Sequence, residues 1–233
     1  MKRNLDMIKG IIEKEDFHIH PRPDYSDERI ISTYVNELTK IGVFDIGFVE
    51  HGVRKSSKHQ SVLYNEQIIN DYSRKIKNID KSKDINIWAG IEVDYYGCEE
   101  FAKEYMDMVN ASNLEFVIGS VHGKYVDYNA YLEDTIAMLE NYKIDILGHF
   151  KMCDDIWQYN NVGKVIKLLC EKQVFFEVNI APRYDAPLLV KEYVYSLLRS
   201  NNVRISVGSD AHSIDDIHKN YTNLAWMDII QKQ

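Results

Sequence analysis

The sequence predicts an α/β fold in which parallel strands alternate with helices and close, or nearly close, into a barrel. Three observations predict it. Seven short, almost continuously apolar stretches alternate with amphipathic stretches at helical spacing, the pattern of parallel βαβ units buried on both faces. The chain has 233 residues and 45% hydrophobic content, which suits a single domain over 1–233, since α/β barrels run to about 200–250 residues as one unit. Six of the apolar stretches end in imidazole or carboxylate side chains, where a buried strand would ordinarily end in small turn residues.

Residues 1–15 read as a lead-in helix or tail. Phe17 and Ile19 then alternate with His18 and His20, the period of a strand. Pro21 and Pro23 stop it, because proline cannot donate to a sheet ladder. Ser26 or Asp27 can cap the next helix, Arg29–Ile41, whose Ile30, Val35, Leu38 and Ile41 fall near helical spacing, with Gly42 as its stop. Val43–Glu50 is the second strand, followed by a basic loop and a helix over Leu63–Ile79. Strands over Ile85–Val93, Phe116–His122, Ile144–His149, Val174–Asn179 and Val203–Ser209 complete the set. Helices over Glu99–Asn110, Tyr131–Tyr142, Val162–Glu171 and Leu188–Ser200 separate them. The segment after Ile214 is expected to cover one end of the barrel with Leu224, Trp226, Ile229 and Ile230. Only four prolines and eleven glycines interrupt the chain, and no repeat or linker divides it.

Charge and composition narrow the partners. The formal net charge is −8, and no strong basic run offers the footprint of a nucleic-acid binder, so no nucleic-acid partner is expected. No apolar run approaches the roughly 18 residues of a membrane span, and the first residues lack a signal-peptide core. Cys98, Cys153 and Cys170 form no CxxC pair; an odd, unpatterned count points to a reducing cytoplasm. Each is read as a small packing residue, with Cys153, just beyond His149, also open to a ligand role.

Six of the eight histidines, His18, His20, His51, His122, His149 and His212, fall at the C-terminal ends of expected strands. That is the face where barrels of this kind carry their active sites. His18 and His20, two residues apart on a strand, point to one face and can share an ion. Glu92 stands near a strand end, where its two oxygens can bridge ions, and Asp210 and His212 follow the last strand directly. A mixed imidazole and carboxylate set suits Zn, Mn or Fe(II) rather than the all-oxygen shells of Ca or Mg. The donors outnumber what one catalytic tetrahedral ion uses, so two or three divalent transition-metal ions are expected.

The motifs His18-Ile19-His20, Glu50-His51, Gly90-Ile91-Glu92, Gly119-Ser120-Val121-His122, Gly148-His149 and Gly208-Ser209-Asp210-Ala211-His212 resemble, in order, those of the polymerase and histidinol phosphatase (PHP) superfamily. Within it the chain looks most like the histidinol-phosphatases, with Glu177-Val178-Asn179 and Arg183 resembling the sixth-strand region of that branch. The resemblance implies a distorted (β/α)7 TIM-like barrel with a trinuclear site. His18, His20, Glu92 and Asp210 would hold one ion, and Glu92, His122 and His149 a second. His51 and His212 would hold a third, with one further ligand from the loop after the first strand. The chain departs from the family there: its acids are Asp24 and Asp27, at a shifted spacing, with Asp27 favoured by the Tyr25-Ser26-Asp27 pattern. Either acid can equally serve as a turn or cap residue.

A guanidinium beyond a strand end can fork onto phosphate oxygens, so Arg183 is a candidate phosphate anchor, with Arg22 and Lys124 on neighbouring loops as weaker ones. As a surface residue, Arg183 would merely be solvated. Glu50 and Asp94, beside ligands, are expected to orient imidazoles. The implied chemistry is hydrolysis of a small phosphorylated metabolite, L-histidinol phosphate by resemblance, by a water that clustered cations acidify. His18, His20, Glu92, Asp210, His212 and Arg183 would carry it. The alternatives are a phosphoesterase of the same superfamily acting on nucleotides, an amidohydrolase, and a metal-stabilised binding module without turnover. An amidohydrolase would place a lysine or equivalent at a middle strand, where this chain has Glu92 and His122.

Overall fold

The computed structural model describes residues 15–21, 28–53, 63–79, 84–95, 97, 100–123 and 125–222. Over these residues the chain forms a single-domain, nearly closed barrel of seven parallel strands that follow one another in sequence order, alternating with helices. The strands are β1 Glu15–Ile19, β2 Asp45–His51, β3 Asn86–Asp94, β4 Phe116–Ser120, β5 Ile146–Leu147, β6 Phe175–Asn179 and β7 Ile205–Gly208. The helices are α1 Glu28–Lys40, α2 Glu66–Lys77, α3 Glu100–Ala111, α4 Tyr128–Asn141, α5 Asn160–Lys172, α6 Leu188–Ser200 and α7 Ile214–Asn220.

The barrel interior is small and aromatic. Phe17, Val49, Phe116, Ile118, Ile146 and Phe175 form one buried cluster, with Phe17 and Phe116 edge to face at 5.6 Å. Room for these rings comes from Gly47 and Gly90. A Cβ on Gly90 would stand 2.4 Å from the Phe116 ring, and one on Gly47 2.7 Å from Phe17. The outer face of the sheet packs against helix residues such as Ile31, Leu38, Tyr72, Ile76, Leu132, Leu139 and Leu169, all fully buried.

The seam between β1 and β7 is irregular. Ile19 and Ala211 make a single parallel bridge, with His20 N–H donating to the Ala211 carbonyl at 2.8 Å. Below that bridge, side chains accept from main-chain donors of β7 and of the residue after it. Glu15 Oε1 accepts from Val207 N at 3.1 Å, and Asp16 Oδ1 accepts from Ser209 N at 3.0 Å. Buried N–H groups must find acceptors, and here two carboxylates supply what a regular ladder would take from carbonyls. A register shift in β1 between Asp16 and Ile19 accompanies this. The barrel is distorted where its first and last strands meet.

Most boundaries shift by one or two residues from the sequence expectation, and three elements differ by more. Leu63 does not start a helix; it bridges Gly52, and α2 begins at Glu66 behind an Asn65 cap whose side chain accepts from Ile68 N at 3.0 Å. The fourth helix starts earlier, at Tyr128, capped by Asp127. The expected strand over Ile144–His149 narrows to two residues, and His149 takes a positive φ of 24°. Of the lead-in segment, Glu15 belongs to β1; its residues 1–14, Arg22, Asp24, Ser26, Asp27, Cys98, Lys124 and the segment with Leu224, Trp226, Ile229 and Ile230 lie outside the described residues.

Candidate metal centre

Eight of the nine expected ligands are described, and all eight gather at the C-terminal mouth of the barrel. His18 lies in β1 and His20 directly after it; His51 ends β2; Glu92 lies in β3. His122 and His149 stand two residues beyond β4 and β5, and Asp210 and His212 just beyond β7. Parallel strands in sequence order carry all these ends to one rim, which is why residues spread over most of the chain meet. They form four overlapping groups whose donor atoms lie within 4.8 Å of one another: His18, His20 and Glu92; Glu92, His122 and His149; His20, His51 and His212; His18, His149 and Asp210.

Glu92 is the hub. Its Oε2 faces His51 Nδ1 at 2.7 Å, His20 Nε2 at 3.5 Å and His18 Nε2 at 3.7 Å. Its Oε1 faces His149 Nε2 at 2.9 Å and His122 Nε2 at 3.5 Å. Each oxygen therefore serves a different set of imidazoles. Asp210 Oδ1 lies 3.4 Å from His20 Nε2 and 3.7 Å from His18 Nε2. The His20 ring stacks on those of His51 and His212, at 4.2 Å from each, and those two lie 5.9 Å apart, so the three rings form a triangle.

The electrostatics favour ionised carboxylates. Burial alone would raise the Glu92 carboxyl, but His51, His122, His18 and the His149 hydrogen bond outweigh it and hold it well below the carboxylate range. Asp210 follows the same balance, with burial opposed by His18 and His20. Burial pushes His20 well below the ordinary imidazole value, leaving it neutral with a lone pair to offer.

Hydrogen bonds outside the cluster set the rings. His18 Nδ1 faces Glu177 Oε1 at 2.7 Å, His122 Nδ1 faces Asp94 Oδ1 at 2.8 Å, and His212 Nδ1 faces the Asp210 carbonyl at 2.9 Å. An acceptor at Nδ1 orients each ring and turns its Nε2 toward the mouth, where a metal ion would take the place of any proton on it. His18 Nε2 and His20 Nε2 stand only 3.2 Å apart. Nitrogen lone pairs converging with ionised carboxylates are the donor set of a Zn, Mn or Fe(II) site, so the residues fit divalent metal.

Glu50 is buried beside His51. Arg183, in a short 3-10 turn over Pro182–Tyr184, donates to Oδ2 of Asp210 and, at 3.2 Å, to its carbonyl. Its cation also lies 5.1 Å from the centre of the Tyr184 ring. Among the described residues, Cys153 belongs to none of the four donor groups; burial and Asp155 push its thiol up to about 11.

The sequence reading gave two contacts no role. Glu177 is buried and holds His18 through one oxygen; the other accepts from His149 N and from Asn179 Nδ2. Its signal was available: Phe175, Glu177 and Asn179 share one face of β6, and Phe175 points into the barrel. Tyr184 stacks on His149 at 4.7 Å with an interplanar angle of 6°, and no spacing rule announces that contact.

Fold and site define a (β/α)7 barrel with an imidazole–carboxylate cluster able to bind metal at its mouth. The chain belongs to the PHP domain family, whose model matches residues 16–181. Among solved structures it resembles histidinol phosphate phosphatase from Lactococcus lactis, determined with zinc, L-histidinol and phosphate: TM-score 0.65, 20% identity, covering 93% of this chain and 94% of that one. A Listeria monocytogenes protein provisionally named a histidinol phosphatase matches with TM-score 0.60 and 18% identity, covering 90% and 99%. A chain of archaeal ribonuclease P solved with mature tRNA matches with TM-score 0.54 and 14% identity, covering 94% and 89%. At these identities the likeness is one of fold. A comparison with curated protein sequences finds no match. Family and donor groups together support a metal-dependent phosphoesterase. Among the described residues, no helix is long and apolar enough to cross a membrane.

Proposed function

We propose that this protein hydrolyses small phosphomonoesters with the help of two or three divalent transition-metal ions, zinc, manganese or iron, and that L-histidinol phosphate is the first substrate to test. The observation that carries the proposal is Glu92, whose two oxygens face separate sets of imidazoles. A carboxylate so placed suits bridging, and the four overlapping donor groups support more than one ion. His18, His20, Glu92 and Asp210 would hold one ion, and Glu92, His122 and His149 a second. His51 and His212 would hold a third with Asp27, or Asp24, from the first loop. Bound divalent cations supply a water of lowered pKa and offset the charge of phosphoryl oxygens.

The chain's own residues would do the rest. Asp94 and Glu177 hold the His122 and His18 rings in place. Arg183 would fork onto non-bridging phosphate oxygens, with Arg22 and Lys124 as further candidate anchors. An imidazole or carboxyl of the mouth would protonate the leaving alkoxide. The Lactococcus protein of the same fold was solved with L-histidinol and phosphate, which sets the order of the substrate screen.

The test is p-nitrophenyl phosphate hydrolysis with and without chelator, followed by a panel of phosphomonoesters that includes histidinol phosphate and nucleotides. Chelator-sensitive turnover is expected. A metal-replete protein that hydrolyses none of them would be a binding module.

A further inference from the structure

The main chain around Asp210 takes an uncommon conformation, held by side chains of β1 and α7. Asp210 has φ 49°, in the left-handed region that non-glycine residues seldom adopt. Such a residue persists only where its surroundings over-determine it. Here they do so on both sides. Ser209, immediately before, is gripped at both polar atoms of its main chain: N donates to Asp16 Oδ1 at 3.0 Å, and its carbonyl accepts from Asn220 Nδ2 at 2.8 Å. His212, two residues after, donates its N–H to Asp216 Oδ2 at 3.1 Å. Asp16 also accepts from His18 N at 3.1 Å, and its second oxygen accepts from the Tyr221 hydroxyl at 3.0 Å.

One carboxylate thus ties the backbone of a β1 ligand to that of the β7 ligand loop. The end of α7 ties both down. Asp16 is fully buried and Asn220 is 4% exposed, so these bonds compete little with water. Burial and Asp16 keep the Tyr221 phenol protonated well beyond its ordinary range, so its hydroxyl donates. None of the three side chains belongs to the donor groups of the cluster.

We infer that Asp16, Asn220 and Tyr221 are positioning residues of the metal centre, which hold the β1 and β7 ligands at the spacing a metal ion needs. The inference rests on the metal-site reading given above. Losing one of these bonds lets Asp210 relax toward an ordinary backbone conformation and turns its carboxylate away from His18 and His20. Substitutions that act through a ligand's supporting partners cost about 10- to 100-fold in metal affinity.

Zinc titration of the full-length protein, stripped of metal, tests it by calorimetry, with a melting curve for each variant. Tyr221→Phe removes one oxygen and keeps the ring; Asn220→Ala removes the donor to Ser209. Ser73→Ala is the control, since Ser73 is buried and its hydroxyl donates to the Asn113 carbonyl at 2.8 Å, away from the cluster. All three are expected to lower Tm modestly. Only Tyr221→Phe and Asn220→Ala are expected to weaken zinc binding, by about tenfold or more. Variants that melt lower but titrate zinc like the wild type, as the Ser73→Ala control should, would show that these bonds only hold the fold. Wild-type protein that takes up no zinc would overturn the metal-site reading itself, a different outcome from intact uptake by the variants.

Discussion

Glu177 Oε1 lies 2.7 Å from Nδ1 of His18, with both side chains buried at the mouth of the barrel. The carboxylate is held below its usual range: burial opposes ionisation, but His18 and His149 outweigh it. An ionised carboxylate accepts only, so His18 Nδ1 donates to it. Burial opposes a charged His18 imidazole, but Glu177, Asp210 and Glu92 outweigh burial and hold it well above its ordinary pKa, so a metal ion at Nε2 would displace a proton there. The second oxygen accepts the backbone N–H of His149, whose φ of 24° needs such a restraint. One acid thereby orients two candidate ligands, one by its ring and the other by its main chain.

Glu177→Gln keeps the volume and removes the charge. Its amide cannot accept at both positions, so either His18 or the His149 backbone loses its partner. Zinc affinity is expected to fall about 10- to 100-fold, measured by titration of the metal-free protein. Unchanged affinity would reduce Glu177 to a packing residue.

Gly208 explains how Glu177 comes so close. A Cβ at this position would stand 2.1 Å from Glu177 Oε1 and 2.6 Å from His18 Cβ. Gly208→Ala must therefore displace a buried pair, and a loss of roughly 1–3 kcal/mol is expected from overpacking. Gly163 is the contrast. It lies inside α5, nothing would meet its Cβ within 4 Å, and Gly163→Ala should stabilise by up to about 1 kcal/mol through helix propensity. Thermal denaturation of the two variants should move Tm in opposite directions.

The fold and the convergence of the histidines with Glu92 and Asp210 were legible because both follow from local pattern. Apolar stretches bounded by turn residues give the strands, and parallel connectivity sends every C-terminal strand end to one rim. That is how His18, His51, Glu92, His149 and Asp210 come to share a mouth although up to 192 residues separate them in sequence. What was not legible depends on who neighbours whom across the seam. Tyr221 meets Asp16, 205 residues away, only because α7 folds back beside β1 and β7. β5 also reads longer than it is. His149 carries a ligand's chemistry, but its backbone leaves the sheet, so side-chain pattern overstates the strand.

Glu92 should be the least replaceable ligand. Glu92→Gln retains shape but loses the charge that both sets of imidazoles face. It is expected to lose phosphatase activity together with metal content, measured by elemental analysis beside the turnover assay. Near-normal turnover would make Glu92 a mere polar residue at a strand end.

Arg183→Ala tests whether phosphate recognition can be separated from metal assembly. Its guanidinium cannot ligate a metal, because it stays protonated and has no lone pair to give. Its side chain is 52% exposed, so solvent screens its pairing with the buried Asp210, and Arg183→Ala is expected to fold, with a melting curve as the check. Losing a charge-assisted contact to a phosphate costs about 1.5–3 kcal/mol, or roughly ten- to a hundredfold. That loss should appear in kcat/KM for every phosphomonoester, whatever its leaving group. Arg183→Lys should fall between alanine and wild type, since lysine restores the charge without the two-pronged geometry. The bond to Asp210 supplies a competing account, in which Arg183 acts by steering a ligand. Zinc titration decides between them. If Arg183→Ala loses kcat/KM while binding zinc like the wild type, the arginine holds phosphate. If zinc affinity falls in step with kcat/KM, it works through Asp210. If neither changes, phosphate is held without it.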